Sequence, residues 1–86
     1  LGVAPSPRVY EAYIELELQL GNPDRCRLLY EKWLQWRPDA CRAWTRMAAL
    51  EAGLHEDERA RGIFELAIAQ PELDAPELVW KAYIDF

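Results

Sequence analysis

The sequence predicts an all-α protein, a stretch of a solenoid built from antiparallel helical hairpins. Three observations predict it: an internal repeat of 34 residues, apolar stripes at helical spacing, and no apolar/polar alternation of the kind a strand shows. The repeat is seen by setting Tyr10-Glu-Ala-Tyr13-Ile14-Glu-Leu16-Glu17 above Trp44-Thr-Arg-Met47-Ala48-Ala-Leu50-Glu51. Trp80-Lys-Ala-Tyr83-Ile84-Asp-Phe86 follows at a further offset of 36. An aromatic leads each time, with large apolar residues at +3 and +6. The intervening segments match as well, since Asp24–Glu31 lies over Glu58–Glu65 at the same offset of 34. Two full units and the start of a third are expected: an N-terminal segment over 1–8, repeats over 9–38 and 41–71, and the first helix of a further, truncated repeat over 77–86.

The elements follow in order. Tyr10, Tyr13, Ile14 and Glu17 fall at i, i+3, i+4 and i+7, one face of a first helix. Gly21-Asn22-Pro23-Asp24 breaks it, with Asp24 the expected N-cap of the next helix. Cys26, Leu29, Tyr30, Trp33 and Leu34 form the stripe of that second helix, which closes on Pro38 because proline cannot continue a helix interior. Trp44, Met47, Ala48 and Glu51 repeat the first face. Gly53-Leu54-His55-Glu56-Asp57 breaks the second hairpin, and Ala60, Ile63, Phe64, Ala67 and Ile68 make its second stripe, closing on Pro71. The connection Gln70–Glu77, with Pro71 and Pro76, accounts for the spacing of 36 as a short insertion before the helix led by Trp80.

A period near 34 suggests tetratricopeptide repeats, whose leading helix reads W-x2-L-G-x2-Y. Here Ile14 and Ala48 stand at the glycine position, and Glu17 and Glu51 stand at the tyrosine position. A carboxylate on this face needs compensation, since burying an unpaired charge is costly. The aligned pairs Arg25/Arg27 and Arg59/Arg61 on the partner helix are the candidates. That combination, with Tyr30-Glu31 and Phe64-Glu65 and the closing prolines, resembles the half-a-tetratricopeptide (HAT) repeat. The resemblance implies a right-handed superhelical solenoid. Tyr10 replaces the usual tryptophan and Met47 a frequent aromatic, and both are large and apolar. The strings Tyr13–Leu20, Asp24–Arg27, Leu29–Lys32, Ala67–Pro71 and Leu78–Phe86 go beyond the generic repeat and are similar to the crooked neck-like pre-mRNA splicing factors. What this resemblance implies is a nuclear, non-catalytic protein-interaction scaffold of the spliceosome, with other spliceosomal proteins as partners and at most an indirect or weak RNA contact.

Composition bounds the alternatives. With 51% hydrophobic and 29% charged residues, the chain has the makeup of a globular rather than a disordered segment. No apolar run approaches the roughly 18 residues that span a bilayer. Cys26 and Cys41 are expected as reduced thiols, and a metal site would need more ligands than these two and His55 supply. No cofactor or small-molecule substrate is expected. Net charge is -5, which opposes phosphate-driven nucleic-acid binding by the whole segment. Residues 25–46 nevertheless form a basic island of Arg25, Arg27, Lys32, Arg37, Arg42 and Arg46, carrying six bases against two acids. A solvated helix surface is the expected reading, with an RNA-binding surface the alternative.

Among single residues, Trp44 and Trp80 recur at equivalent positions, as core residues do. Trp36 has no apolar counterpart, since Gln70 matches it, and it stands beside Arg37. It either packs between neighbouring hairpins or anchors a partner, as Trp and Arg do at hot spots. Glu17 and Glu51 sit in separate repeats with arginines at hand, which suits ion pairing rather than acid–base catalysis. The chain begins at Leu1 and stops inside an apolar run at Phe86, so it reads as part of a longer protein. A weakly stable or self-associating fragment is expected, with Trp80, Tyr83 and Ile84 awaiting a following helix.

Overall fold

The computed structural model describes residues 6–86, and among these every regular element is an α-helix. The remainder of the expected N-terminal segment, residues 1–5, lies outside the described residues. Five helices follow one another: α1 (Pro7–Gln19), α2 (Pro23–Trp36), α3 (Cys41–Gly53), α4 (Asp57–Ile68) and α5 (Pro76–Asp85). Each packs on the next, and α5 also lies on α3. The result is a slab of 34 × 28 × 15 Å.

Helix starts are set by local chemistry. The Ser6 hydroxyl accepts the Val9 N–H at 3.2 Å, and prolines open α1, α2 and α5, where their missing N–H costs nothing. Asp24 was the expected N-cap of α2. That position belongs to Asn22, because Pro23 already takes the first helical turn, and Asp24 lies inside the helix, pairing with Arg27.

Both hairpin turns close in one way. In the first, Asn22 N–H bonds the Glu17 carbonyl at 2.9 Å and Gly21 N–H bonds that of Leu18 at 3.1 Å. In the second, Glu56 N–H bonds the Glu51 carbonyl at 2.9 Å and His55 N–H bonds that of Ala52 at 3.0 Å. These are two Schellman turns in the same register. Such a turn needs one left-handed residue, and it is Gly21 (φ 73°) in the first and His55 (φ 62°) in the second.

The core is one cluster running through all five helices. Tyr10, Ile14, Cys26, Tyr30, Trp33, Leu34, Trp44, Met47, Ala48, Phe64 and Val79 are buried, while Leu29, Ile63 and Ile68 of the expected stripes are partly buried. Trp33 lies between Tyr10 (5.8 Å, interplanar 6°) and Tyr30 (6.3 Å, 12°). Packing of this kind is worth about 3–5 kcal/mol to a truncation such as Trp33→Ala. The central helix α3 is the most buried, with Cys41, Ala43, Trp44, Met47, Ala48 and Glu51 all inside.

The longer connection after α4 has a structural use. Ala40, the N-cap residue of α3, offers no side-chain cap, and Asp74 supplies one from 33 residues downstream by accepting the Cys41 N–H at 3.2 Å. Asp74 N–H also bonds the Asp39 carbonyl at 3.0 Å, and Ala75 N–H points at the Cys41 sulfur at 3.4 Å. The insertion thereby docks the chain ahead of α5 onto the start of α3.

Candidate interaction surface

The residues singled out by the repeat lie on all five helices and in the connections that follow α2 and α4. Tyr10, Tyr30, Trp44, Met47 and Phe64 are buried, and burial pushes the Tyr30 hydroxyl above its ordinary range. The Trp44 indole N–H donates to the Pro38 carbonyl at 2.8 Å, so the closing proline of one hairpin orients the leading aromatic of the next. Pro71, in the longer connection, is exposed. Tyr13 and Trp80 are about half-exposed, at 42% and 51%. Tyr83 stacks on Phe64 at 4.9 Å and donates its hydroxyl to Glu65 at 3.2 Å.

The charged pairs differ from expectation in an informative way. Glu51 is 2% exposed, and its close partner comes from the preceding hairpin: Arg27 of α2 donates Nε and Nη2 to its two carboxylate oxygens, each at 2.8 Å. Arg59, on the helix that pairs with α3, approaches only to 3.9 Å. The Arg27 fork holds the Glu51 carboxyl below the usual carboxylate range, although burial opposes this. Hydrogen bonding to Glu51 likewise raises the Arg27 guanidinium, which also bonds Asp24 at 2.8 Å. Arg61 stays on its own helix, pairing with Glu58 at 2.9 Å. Glu17 meets Arg25 only at 3.7 Å and takes a hydrogen bond from Asn22 Nδ2 at 3.0 Å. A bidentate arginine–carboxylate contact fixes geometry as well as charge, so Arg27 and Glu51 set how one hairpin sits on the next.

A second bridge between hairpins was not read from the sequence. Glu11 of α1 meets Arg42 at 2.6 Å and Arg46 at 3.9 Å, both on α3. The i, i+4 spacing of the two arginines was visible, but the acid lies 31 residues from the nearer one. Trp36 packs on Tyr10 of its own hairpin at 6.0 Å and remains 38% exposed. Arg37 lies over its ring at 5.8 Å and forks onto Asp39 at 2.9 Å.

Between α2 and α4, over the floor of α3, runs an open groove of about 910 Å³. Its apolar lining includes Leu34, Trp44, Met47, Ile63 and Leu66, and the Arg27–Glu51 pair forms part of its wall. Cys26 and Cys41 are buried free thiols, and burial pushes Cys41 up to about 11. Among the described residues, no group of three or more His, Cys, Asp and Glu side chains is arranged to hold a metal ion. No described helix is long and apolar enough to cross a membrane.

No family model matches the sequence. Individual proteins do, along all of it. The chain is 52% identical over 86 residues to pre-mRNA-splicing factor cwf4 of Schizosaccharomyces pombe, covering 13% of that protein. It is 54% identical over 86 residues to crooked neck-like protein 1 of Homo sapiens, covering 10% of it. Pre-mRNA-splicing factor clf1 of Aspergillus fumigatus is 55% identical over the same 86 residues, again 13% of its length. The chain therefore spans between 10% and 13% of the length of these relatives. Over its whole length the chain is a homologue of one segment of the crooked neck-like family of pre-mRNA splicing factors.

Proposed function

We propose that this chain is part of a right-handed superhelical solenoid of HAT hairpins that serves pre-mRNA splicing in the nucleus as a non-catalytic protein-interaction scaffold. Its units are residues 9–38 and 41–71 and the helix within 77–86. Its partners are other spliceosomal proteins. The observation that carries the reading is identity at about half of all positions to named splicing factors, without a gap in coverage of the chain. The physical picture supports it, because hairpins fixed to one another by side-chain forks form an extended surface rather than an enclosed reaction site.

An RNA-binding solenoid is the weaker reading. Of the six cations in the basic island, five engage carboxylates: Arg25 with Glu17, Arg27 with Glu51 and Asp24, Arg37 with Asp39, and Arg42 and Arg46 with Glu11. A phosphate backbone would have to compete with those acids. Trp36, with Arg37 across its ring, is the residue most suited to anchor a protein partner.

Affinity purification of the tagged parent protein from nuclear extract, with and without RNase, tests the proposal. Spliceosomal proteins retained after RNase are the expected result, and loss of every partner on RNase treatment would favour RNA binding. In the same assay Trp36→Ala is expected to lower partner recovery while leaving the helical signal intact; unchanged recovery removes Trp36 from the partner surface.

A further inference from the structure

α2 and α4 each pack on α3 but not on each other, and the groove between them is the space this leaves. Trp44 and Met47 form its floor, with Leu34 on the α2 wall and Leu66, 59% exposed, on the α4 wall. The Arg27 fork on Glu51 fixes α2 to α3, so the groove is already shaped before anything enters it.

Gly62, in the α4 wall, is a glycine that the chain itself does not require. It lies in the middle of a helix, where only proline is a poorer choice. Its φ is not left-handed, and a Cβ built on it would meet nothing within 4 Å. Neither backbone conformation nor internal packing therefore calls for glycine. Leu28 holds the same position of α2, 34 residues earlier. What the missing side chain provides is room for another backbone to approach α4 closely. Two helices set apart on a third leave a trough into which a further helix packs by its side-chain ridge.

Charge selects the kind of helix. Arg27 and Glu51 cancel in the wall, and Arg59 leans on that same Glu51 at 3.9 Å. Two carboxylates are left, Glu31 on α2 and Glu65 on α4, equivalent in the repeat and so one on each wall. Glu31 is exposed, and Glu65 takes a hydrogen bond from the Tyr83 hydroxyl at 3.2 Å. A segment lying along the groove passes between these acids, in a chain of net charge -5, and is favoured by cations on both its flanks.

We propose that this groove seats an amphipathic helix of a partner protein. Its large apolar side chains rest on Trp44 and Met47, its backbone comes against Gly62, and lysine or arginine on its flanks meets Glu31 and Glu65. This inference rests on the scaffold reading above and deepens it by naming where, and by what chemistry, a partner is held.

The probe is a dye-labelled, hydrocarbon-stapled helix with leucine at i, i+3, i+4 and i+7 and lysine on both flanks. It is titrated into the purified parent protein and followed by fluorescence anisotropy. Saturable binding is expected, weakened about tenfold or more by Gly62→Leu. The same change is expected to raise the melting temperature of the 86-residue chain, because leucine is the better helix former. Those opposite signs separate a blocked groove from a folding defect. A probe with glutamate for lysine, which leaves the protein untouched, is expected to bind at least about tenfold more weakly. Glu31→Lys with Glu65→Lys is expected to reverse that preference. Absence of saturable binding, or equal affinity for Gly62→Leu or of the glutamate probe, would overturn the proposal. Binding to the 86-residue chain but not to the parent would overturn it too, because a segment of the parent would then fill the groove. So would a concentration-dependent dimer in sedimentation that Gly62→Leu dissolves, since the occupant would be a second copy. In the extract purification Gly62→Leu is expected to lose at least one spliceosomal protein, and unchanged recovery of all of them overturns the partner. Failure here with spliceosomal proteins retained after RNase sinks only the groove; probe binding with every partner lost on RNase sinks only the scaffold reading.

Discussion

Arg27 and Glu51 depend on each other unequally. Without Arg27, the Glu51 carboxylate is left buried with only the distant Arg59, whereas without Glu51 the Arg27 guanidinium keeps Asp24 and water. Arg27→Met is therefore expected to lower the melting temperature by about 20 °C, the scale for a stranded buried charge in a domain this small. Glu51→Gln is expected to cost clearly less, and equal losses in calorimetry would refute the asymmetry. The pair also makes stability depend on pH. Because the Glu51 carboxyl is held below its ordinary value of 4.5 in the folded chain, its contribution is present above that value. It fades as the pH falls through the lower folded value. Glu51→Gln should flatten the acid limb of a stability–pH curve in that window, and an unaltered limb would assign acid unfolding to other carboxylates.

At the scale of the element, the two hairpin turns share one geometry but not one residue. His55 holds the left-handed conformation that Gly21 holds in the first turn, and a side chain there costs roughly 1 kcal/mol. His55→Gly is expected to stabilise the chain by about that amount in urea titration, and a neutral or destabilising outcome would show that the imidazole contributes something the turn needs. The cap that Asp74 lends to α3 is expected to be worth about 1 kcal/mol, lost in Asp74→Ala and seen first as faster amide exchange at Cys41. The helices themselves were legible in the sequence, because a stripe such as Cys26, Tyr30, Trp33 and Leu34 is local periodicity. The fastenings were not. Arg27 meets an acid 24 residues away, Glu11 a base 31 away and Asp74 an amide 33 away. Those meetings are set by how one hairpin is rotated on the next, and no spacing within a helix encodes that. Even the extra residues before α5 showed as a change of period, while their use as a cap appears only in the folded chain.

For the whole molecule, the continuous core makes opening a collective event. Cys26 and Cys41 both have 0% exposure, and the Cys41 thiol is held protonated well above neutral pH. Reaction with an aromatic disulfide reagent at pH 8 is thus expected to be slow in native buffer and to quicken in step with unfolding as urea is added. Immediate reaction of either thiol without denaturant would mean that the slab opens locally around it. The candidate surface was partly foreseen at this scale: its buried aromatics came from the repeat, but the groove over α3 depends on the separation of α2 and α4, which the sequence does not display.

The junctions between hairpins are not made alike. The first is held by carboxylate–guanidinium contacts, Arg27 to Glu51 and Arg42 to Glu11, while the second is held by a docked loop and by ring stacking of Tyr83 on Phe64. Exposed ionic contacts yield to salt; loop hydrogen bonds and stacked rings largely do not. In rising salt the ribbon of helices thus has one junction that weakens and one that holds. A partner lying across both would find its footing altered at only one end when the ionic surroundings change.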